Sequence, residues 1–348
     1  MNKLDEYFLR KTFEIAKKGE GLVSPNPLVG ACVVKEGILV GEGYHRGPGT
    51  PHAEVEAIKK AGDKAKGATL YVSLEPCSHY GNTPPCVELI EKSGIKRVVA
   101  PIKDPNPIVN GKGFKFLKRK GIQITTGLLE EEAKKLNPFY LKYIKTGIPY
   151  VILKAALSLD GKIGNPEKGI FKITSKDSLK EVHYYRKKVD ALLIGVNTVL
   201  IDNPELTVRF TKAKKQPLKI IIDPYLKCPK NAKIFKIGGK VIIVTTIKEA
   251  KQKYPEAKVW VFKEKRGVID IREILKKAGE EKITSIMVEG GSETFTHFIN
   301  SGVVDKYLLF YSPSLIGEGI PFVKSVKKRI FLDLNTKKIG RDILLESE

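Results

Sequence analysis

The sequence predicts an α/β protein of two domains, on three observations. Strand-like apolar runs alternate with helix-length amphipathic segments along the whole chain. The 348 residues are about twice the roughly 150 of a usual domain. Gly147 and Pro149 follow a long helical pattern and punctuate it, which sets the expected domains at 1–146 and 147–348.

In the first half, residues 5–18 carry apolar side chains at helical spacing. Residues 30–44 (GACVVKEGILVGEGY) read as two short strands around a turn at 35–37. Helices follow at 52–61, 86–93, 111–120 and 129–146, and strands at 69–73, 97–100 and 122–125. The second half opens with a strand at 150–156 and a helix at 176–186. Strands come next at 191–195, 219–222, 241–245, 259–262 and 285–288, then a helix at 293–301 and a strand at 304–311.

Composition narrows the function classes. Hydrophobic residues at 42% and charged residues at 29% exclude wholesale disorder. No apolar run nears the ~18 residues of a membrane span. The opening residues, MNKLDEYFLRKTFEIAKK, show no secretory leader, and the four cysteines (Cys32, Cys77, Cys86, Cys228) are too few for a disulfide scaffold. A cytoplasmic location is expected. The net charge of +23 admits a nucleic-acid, membrane-surface or phosphorylated partner. Its lysines are spread without aromatic interleaving, which favours a solvated surface and neither a nucleic-acid nor a membrane partner.

His52-Ala53-Glu54 opens one predicted helix, and Cys86 opens another. Glu75-Pro76-Cys77 stands between them. One imidazole and two thiolates are three zinc ligands, and they leave a fourth tetrahedral position for water, as a catalytic zinc requires. Zinc brings the pKa of that water from roughly 15.7 to about 7. Helix N-termini favour the thiolate form. Glu54, two residues from His52, is not needed as a ligand and is free to carry protons. Hydrolysis of an exocyclic amine needs such a shuttle, because a ring nitrogen and then the leaving ammonia must each be protonated. H-x-E with P-C-x-x-C marks zinc deaminases acting on bases. Taken singly, His52 would read as a surface histidine and each cysteine as a buried thiol. Cys32 and Cys228 stand alone and read as non-catalytic.

Eight residues, not two, separate Cys77 from Cys86. That insert (EPCSHYGNTPPC), with SPNPLVGACVV from Ser24 and DPNP from Asp104, resembles the deaminase domain of the bifunctional riboflavin-biosynthesis deaminase–reductase family. The likeness spans nearly all of the first domain and implies a cytidine-deaminase-like three-layer α/β/α fold holding one Zn2+. It implies that Asn26 holds the pyrimidine ring and that His79, Asp104 and Asn106 line the pocket. Read without it, Asn26 and Asn106 are turn residues before proline.

The second domain lacks G-x-G-x-x-G after its first strand. Instead VEGGSET at 288–294 ends a strand and opens a helix. That suits either a phosphate at a helix N-terminus or a tight turn capped by Ser292. LKAALSLDGKI from Leu153, ITS from Ile173, GVNTVLIDNPELTVR from Gly195, and VEGG resemble the reductase half of the same family. The resemblance implies a dihydrofolate-reductase-like α/β fold that uses NADPH. By position, Ala156, Thr198, Asp202, Gly291, Ser292, Glu293 and Thr294 would contact the cofactor, and Lys172 stands where the family often has an aromatic residue beside it. Arg186, Leu206, Arg209 and Glu289 would contact substrate, the arginines as planar phosphate clamps. Gly169-Ile170-Phe171 departs from the family's G-x-S, so no substrate contact is transferred to Ile170. Glu289, Lys154 and Asp202 remain open as proton donors. The expected partners are small phosphorylated pyrimidines, with a homo-oligomer formed through the reductase domain. Two rival readings stand beside this one: a nucleic-acid editing deaminase, which draws on the charge and is opposed by the cysteine spacing and the second half, and a structural zinc module, which predicts a fourth protein ligand on the metal and no ammonia release.

Overall fold

Leu9, Phe13 and Ala16 recur every three or four residues, which makes Lys3–Ala16 (α1) a helix with one buried face. The structure, a computed structural model, describes residues 3–81, 84–165, 167, 172–265 and 267–347. The chain divides into two compact units, Met1–Gly147 and Ile148–Glu348.

In the first unit five strands form one sheet. They are Gly30–Lys35 (β1), Ile38–Tyr44 (β2), Thr69–Val72 (β3), Arg97–Val99 (β4) and Gln123–Thr125 (β5), in the order β2-β1-β3-β4-β5. β1 pairs antiparallel with β2 and β3, and β3, β4 and β5 run parallel. Alternation sorts the side chains. Ala31 and Val33 face a core shared with Ala53–Ala61 (α2), Cys86–Lys92 (α3) and Lys112–Arg119 (α4), whereas Cys32 and Val34 pack with Phe8 and Leu9 of α1. Helices on both faces make three layers. α2 lies close on β2 because a Cβ at Gly43 would stand 2.4 Å from the Ala53 carbonyl oxygen.

One expectation is corrected here. The single helix at 129–146 is two, Glu130–Leu136 (α5) and Pro138–Thr146 (α6). Pro138 has no N–H to continue the first helix. Asn137 fills the break, accepting from Leu28 N (2.7 Å) and donating to Leu28 O (2.9 Å).

The second unit is built on Tyr150–Ser158 (β6), a mostly buried strand. In chain order come Lys162–Gly164 (β7), Lys176–Lys188 (α7), Ala191–Gly195 (β8), Val196–Asp202 (α8), Leu218–Ile222 (β9), Lys233–Lys236 (α9), Val241–Thr245 (β10), Ala250–Lys253 (α10) and Lys258–Val261 (β11). Glu264–Lys265 (β12), Val268–Ile269 (β13), Ile271–Glu280 (α11), Ser285–Val288 (β14), Ser292–Asn300 (α12), Lys306–Ser312 (β15) and Ile320–Pro321 (β16) follow. A hairpin, Leu334–Ile339 (β17) and Asp342–Ser347 (β18), completes the unit. Nine strands form the main sheet, β11-β10-β9-β8-β14-β6-β15-β18-β17. It is parallel as far as β15 and antiparallel beyond. The sequence pattern does not predict α8, α11, the short elements β7, α9, α10, β12, β13 and β16, or the terminal hairpin.

Candidate active sites

In the first unit His52 sits as the extended N-cap of α2, and Cys86 is the first residue of α3. Cys77 lies in the loop between β3 and α3, anchored where Val87 N donates to its carbonyl (3.3 Å). The ligand atoms of His52, Cys77 and Cys86 all lie within 4.8 Å of one another. Nδ1 of His52 is 3.2 Å from the Cys86 sulfur and 3.5 Å from that of Cys77, which also accepts from Cys86 N (3.4 Å). The hydrogen bond from Cys86, with those from His52 and the backbone, lowers the Cys77 thiol to about 4. Cys86 is driven the other way by the same bond and by burial. The His52 imidazole rises to about 9, chiefly through Cys77. An imidazole and two sulfurs converging around one thiolate are the donor set and spacing that a zinc ion fits.

Glu54, in the first turn of α2, is 4% exposed and within hydrogen-bond reach of Cys86. Burial pushes its carboxyl up against the opposing field of His52. Cys32 and Cys228 are buried away from this cluster, and burial raises each to about 12.

Asn26 Nδ2 is 3.0 Å from Nε2 of His45, whose Nδ1 faces Pro51 O at 3.4 Å. The amide therefore donates to the ring, and His45 fixes which way it points. His79 Nδ1 is buried with no hydrogen-bond partner among the described residues. Asp104 accepts from the Tyr140 hydroxyl at 2.8 and 3.0 Å, and burial raises its carboxyl. Asn106 does what a turn residue does: its Oδ1 accepts from Ile108 N (3.1 Å).

Sequence reasoning missed Glu75. Its buried carboxylate accepts four backbone N–H groups, from Asp104 (3.1 Å), Gly111 (2.8 Å), Gly113 (2.9 Å) and Phe114 (3.3 Å). It thereby caps α4 from outside the helix and ties the Asp104 loop to the segment bearing Cys77. An acidic residue directly before Pro-Cys was the only available signal.

In the second unit a cleft of about 790 Å3 opens beyond the carboxyl ends of β8, β9 and β14, where open α/β sheets bind ligands. Lys172, Arg186, Thr198, Asp202 and Arg209 line it, as do the successive residues Gly291, Ser292, Glu293 and Thr294. Ala156, Leu206 and Glu289 are not among its described lining residues. The cap of α12 is Gly291, not Ser292 as the turn reading had it; Ser292 is the first helical residue. Its Oγ is buried without a partner among the described residues. A Cβ at Gly290 would stand 2.7 Å from Thr198 Oγ1, and one at Gly195 2.5 Å from Thr294 Oγ1. This glycine-lined cradle with an unsatisfied hydroxyl at a helix N-terminus fits a dinucleotide phosphate. Gly169-Ile170-Phe171 lies outside the described residues.

Arg186 gives its guanidinium to Glu289, through Nε at 2.6 Å and Nη2 at 3.0 Å, and its Nη1 to Thr207 O at 2.9 Å. Lys154 Nζ stands 3.6 Å from the same carboxylate. Burial pushes Glu289 up, but Arg186 and Lys154 outweigh it and hold the carboxyl low. Burial lowers the Lys154 amine and raises Asp202.

Residues 2–101 match the family model for the cytidine and deoxycytidylate deaminase zinc-binding region, and residues 149–345 match the model for the RibD C-terminal domain. The riboflavin biosynthesis protein RibD of Aquifex aeolicus (strain VF5) is 44% identical, over 99% of this chain and 98% of the relative. A diaminohydroxyphosphoribosylaminopyrimidine deaminase/5-amino-6-(5-phosphoribosylamino)uracil reductase from Thermotoga maritima is 38% identical, with a TM-score of 0.90 and coverage of 99% of this chain and 98% of that one. A RibD structure from Acinetobacter baumannii is 33% identical at a TM-score of 0.90, covering 99% and 98%.

Proposed function

The chain belongs to the RibD family of bifunctional riboflavin-biosynthesis deaminase–reductases, and from that premise we propose how its own residues divide the two reactions. One half is a zinc-dependent hydrolase that converts 2,5-diamino-6-(5-phosphoribosylamino)pyrimidin-4(3H)-one to the uracil and ammonia. The other half uses NADPH to reduce the ribosyl group of 5-amino-6-(5-phosphoribosylamino)uracil to ribityl.

His52, Cys77 and Cys86 would hold the zinc, which when bound supplies an activated water. Glu54 takes one proton from the attacking water and passes it to the ring nitrogen, then takes the second from the new hydroxyl as the carbonyl forms and gives it to the departing amine. Its raised carboxyl suits a group that must hold a proton between those steps. Asn26, oriented by His45, and His79, with its free ring nitrogen, present polar edges to a flat heterocycle. Asp104 and Asn106 complete the pocket wall.

Thr198 and the turn from Gly291 to Thr294 would hold NADPH, with Ala156, Lys172 and Asp202 beside it. NADPH supplies the hydride when bound. Arg209 and Arg186, which line the cleft, would meet the substrate, with Leu206 and Glu289 beside them. Arg186 and Lys154 hold the Glu289 carboxyl low, which favours its unprotonated form and counts against it among the three groups open as proton donor. Lys154 and Asp202 remain. Seating the reacting carbons about 3–3.5 Å apart is the main task of this half.

Four free cysteines support a cytoplasmic site of action, and no described helix is long and apolar enough to cross a membrane. A homo-oligomer through the reductase half is part of the same proposal; β11 and β17 are the two ends of its sheet. Neither nucleic acid nor membrane is proposed as a partner.

The single observation that carries this reading is the convergence of His52, Cys77 and Cys86 beside buried Glu54. The test supplies the diaminopyrimidine phosphate with and without NADPH and follows ammonia and NADPH absorbance separately. Ammonia should appear in both arms, and NADPH should be consumed in one. Absence of ammonia in both arms would sink the reading.

A further inference from the structure

We propose that His183 is a positioning residue of the reductase site, fixing the backbone that carries Arg209 against the Arg186–Glu289 pair. This inference rests on the reading of Arg209 as a substrate contact.

His183 lies on α7 with no exposed surface, one helical turn before Arg186. Its Nδ1 accepts the backbone N–H of Arg209 at 3.0 Å. Its Nε2 faces Nη1 of Arg186 at 3.5 Å, and that same Nη1 donates to Thr207 O at 2.9 Å. Two residues of one helix face thus grip two points of one loop, a carbonyl at Thr207 and an amide at Arg209. Leu206, just before these points, adopts a left-handed backbone (φ 52°) that a leucine takes only when its surroundings impose it. The Phe210 ring packs edge-on to the imidazole, 4.8 Å between centroids.

With Nδ1 accepting, the neutral ring carries its single proton on Nε2, and a second proton would sit on Nδ1, facing the Arg209 N–H. A protonated His183 would lose the Arg209 bond and stand among Arg186, Arg209 and Lys154. Burial and these cations hold the ring neutral, with its pKa near 4. The mechanism leaves the imidazole no proton to move. What it supplies is one lone pair, aimed at the loop that presents Arg209 to the cleft.

The test compares His183→Leu, His183→Asn and Arg209→Ala in the full chain. The thermal unfolding transition of the reductase half, compared with that of the parent, reports that each variant is folded there. His183→Leu should raise KM for the phosphoribosylaminouracil about tenfold, the cost of one orphaned buried N–H, and leave KM for NADPH within about twofold. His183→Asn, whose amide oxygen can accept where Nδ1 did, should recover to within about threefold of the parent. Arg209→Ala should raise the same KM. If Arg209→Ala raises it and His183→Leu does not, or if His183→Leu raises both KM values together, the positioning role is overturned. An unchanged KM in Arg209→Ala would overturn the substrate-site reading itself.

Discussion

Among single residues, those with the most consequence divide into groups a motif announces and groups it hides. Glu54 is announced, because H-A-E places a carboxylate on the first turn beside a ligand position. It touches no ligand role, so Glu54→Gln should keep zinc and lose about 10²–10⁴-fold in ammonia release. Metal analysis beside an ammonia assay checks this, and zinc loss in the variant would contradict the shuttle role. Glu75 is hidden. Its partners are backbone N–H groups 29 to 39 residues away, and a backbone N–H leaves no mark in a sequence. Removing its carboxylate orphans four donors at once. Glu75→Ala should therefore cost about 3 kcal/mol or more in the deaminase half. Ammonia release should fall at least about tenfold while reduction of the uracil substrate is unchanged. Full deaminase activity in that variant would show that the Asp104 loop holds itself. His45 and His183 were invisible for the same reason as Glu75: each acts by orienting something else.

Elements were legible where the local pattern and the tertiary demand agree. β1, β8 and β10 are short, almost wholly buried apolar runs, and their bounds follow from composition alone. The 129–146 segment shows the opposite. Its apolar spacing runs straight through Pro138, whose missing N–H breaks the helix, and the pairing of Asn137 with Leu28 holds the break in place. The β17–β18 hairpin escaped notice because β17 is a mostly exposed edge strand with little apolar signal. At this scale the Asp5 carboxylate joins α1 to β4 by accepting from Arg97 at 2.7 and 3.0 Å, and it also accepts from Tyr71 at 2.7 Å. Burial works to raise the Asp5 carboxyl, but the bonds from Arg97 and Tyr71 outweigh it and lower it. A lowered native pKa stabilises the fold above the unfolded value near 3.9, and that contribution is lost as pH falls through the native value. Asp5→Asn should thus cost about 1–3 kcal/mol at neutral pH. The gap between parent and variant should close below about pH 4, as read from denaturant unfolding at stepped pH. A gap that stayed constant into acid would mean that the ion pair contributes nothing.

For the molecule as a whole, the informative fact is that each unit buries its own core. Ala31, Val33, Leu70 and Val98 centre one, and Val151, Leu153, Leu193 and Ile286 centre the other. The zinc ligands all belong to the first, and the cleft beyond β8 and β14 belongs to the second. Metal removal should then separate the activities. A strong chelator should abolish ammonia release, because the water loses its activating ion and His52, Cys77 and Cys86 lose the charge that reconciles them. NADPH-dependent reduction of the phosphoribosylaminouracil, supplied directly, should stay within about twofold, since none of its proposed residues is a metal ligand. Ammonia release should return on adding zinc. Loss of both activities together would mean that the metal site supports the fold of the entire chain. The site at the front would then be a structural anchor as well as a catalytic centre, and the expected independence of the halves would fail.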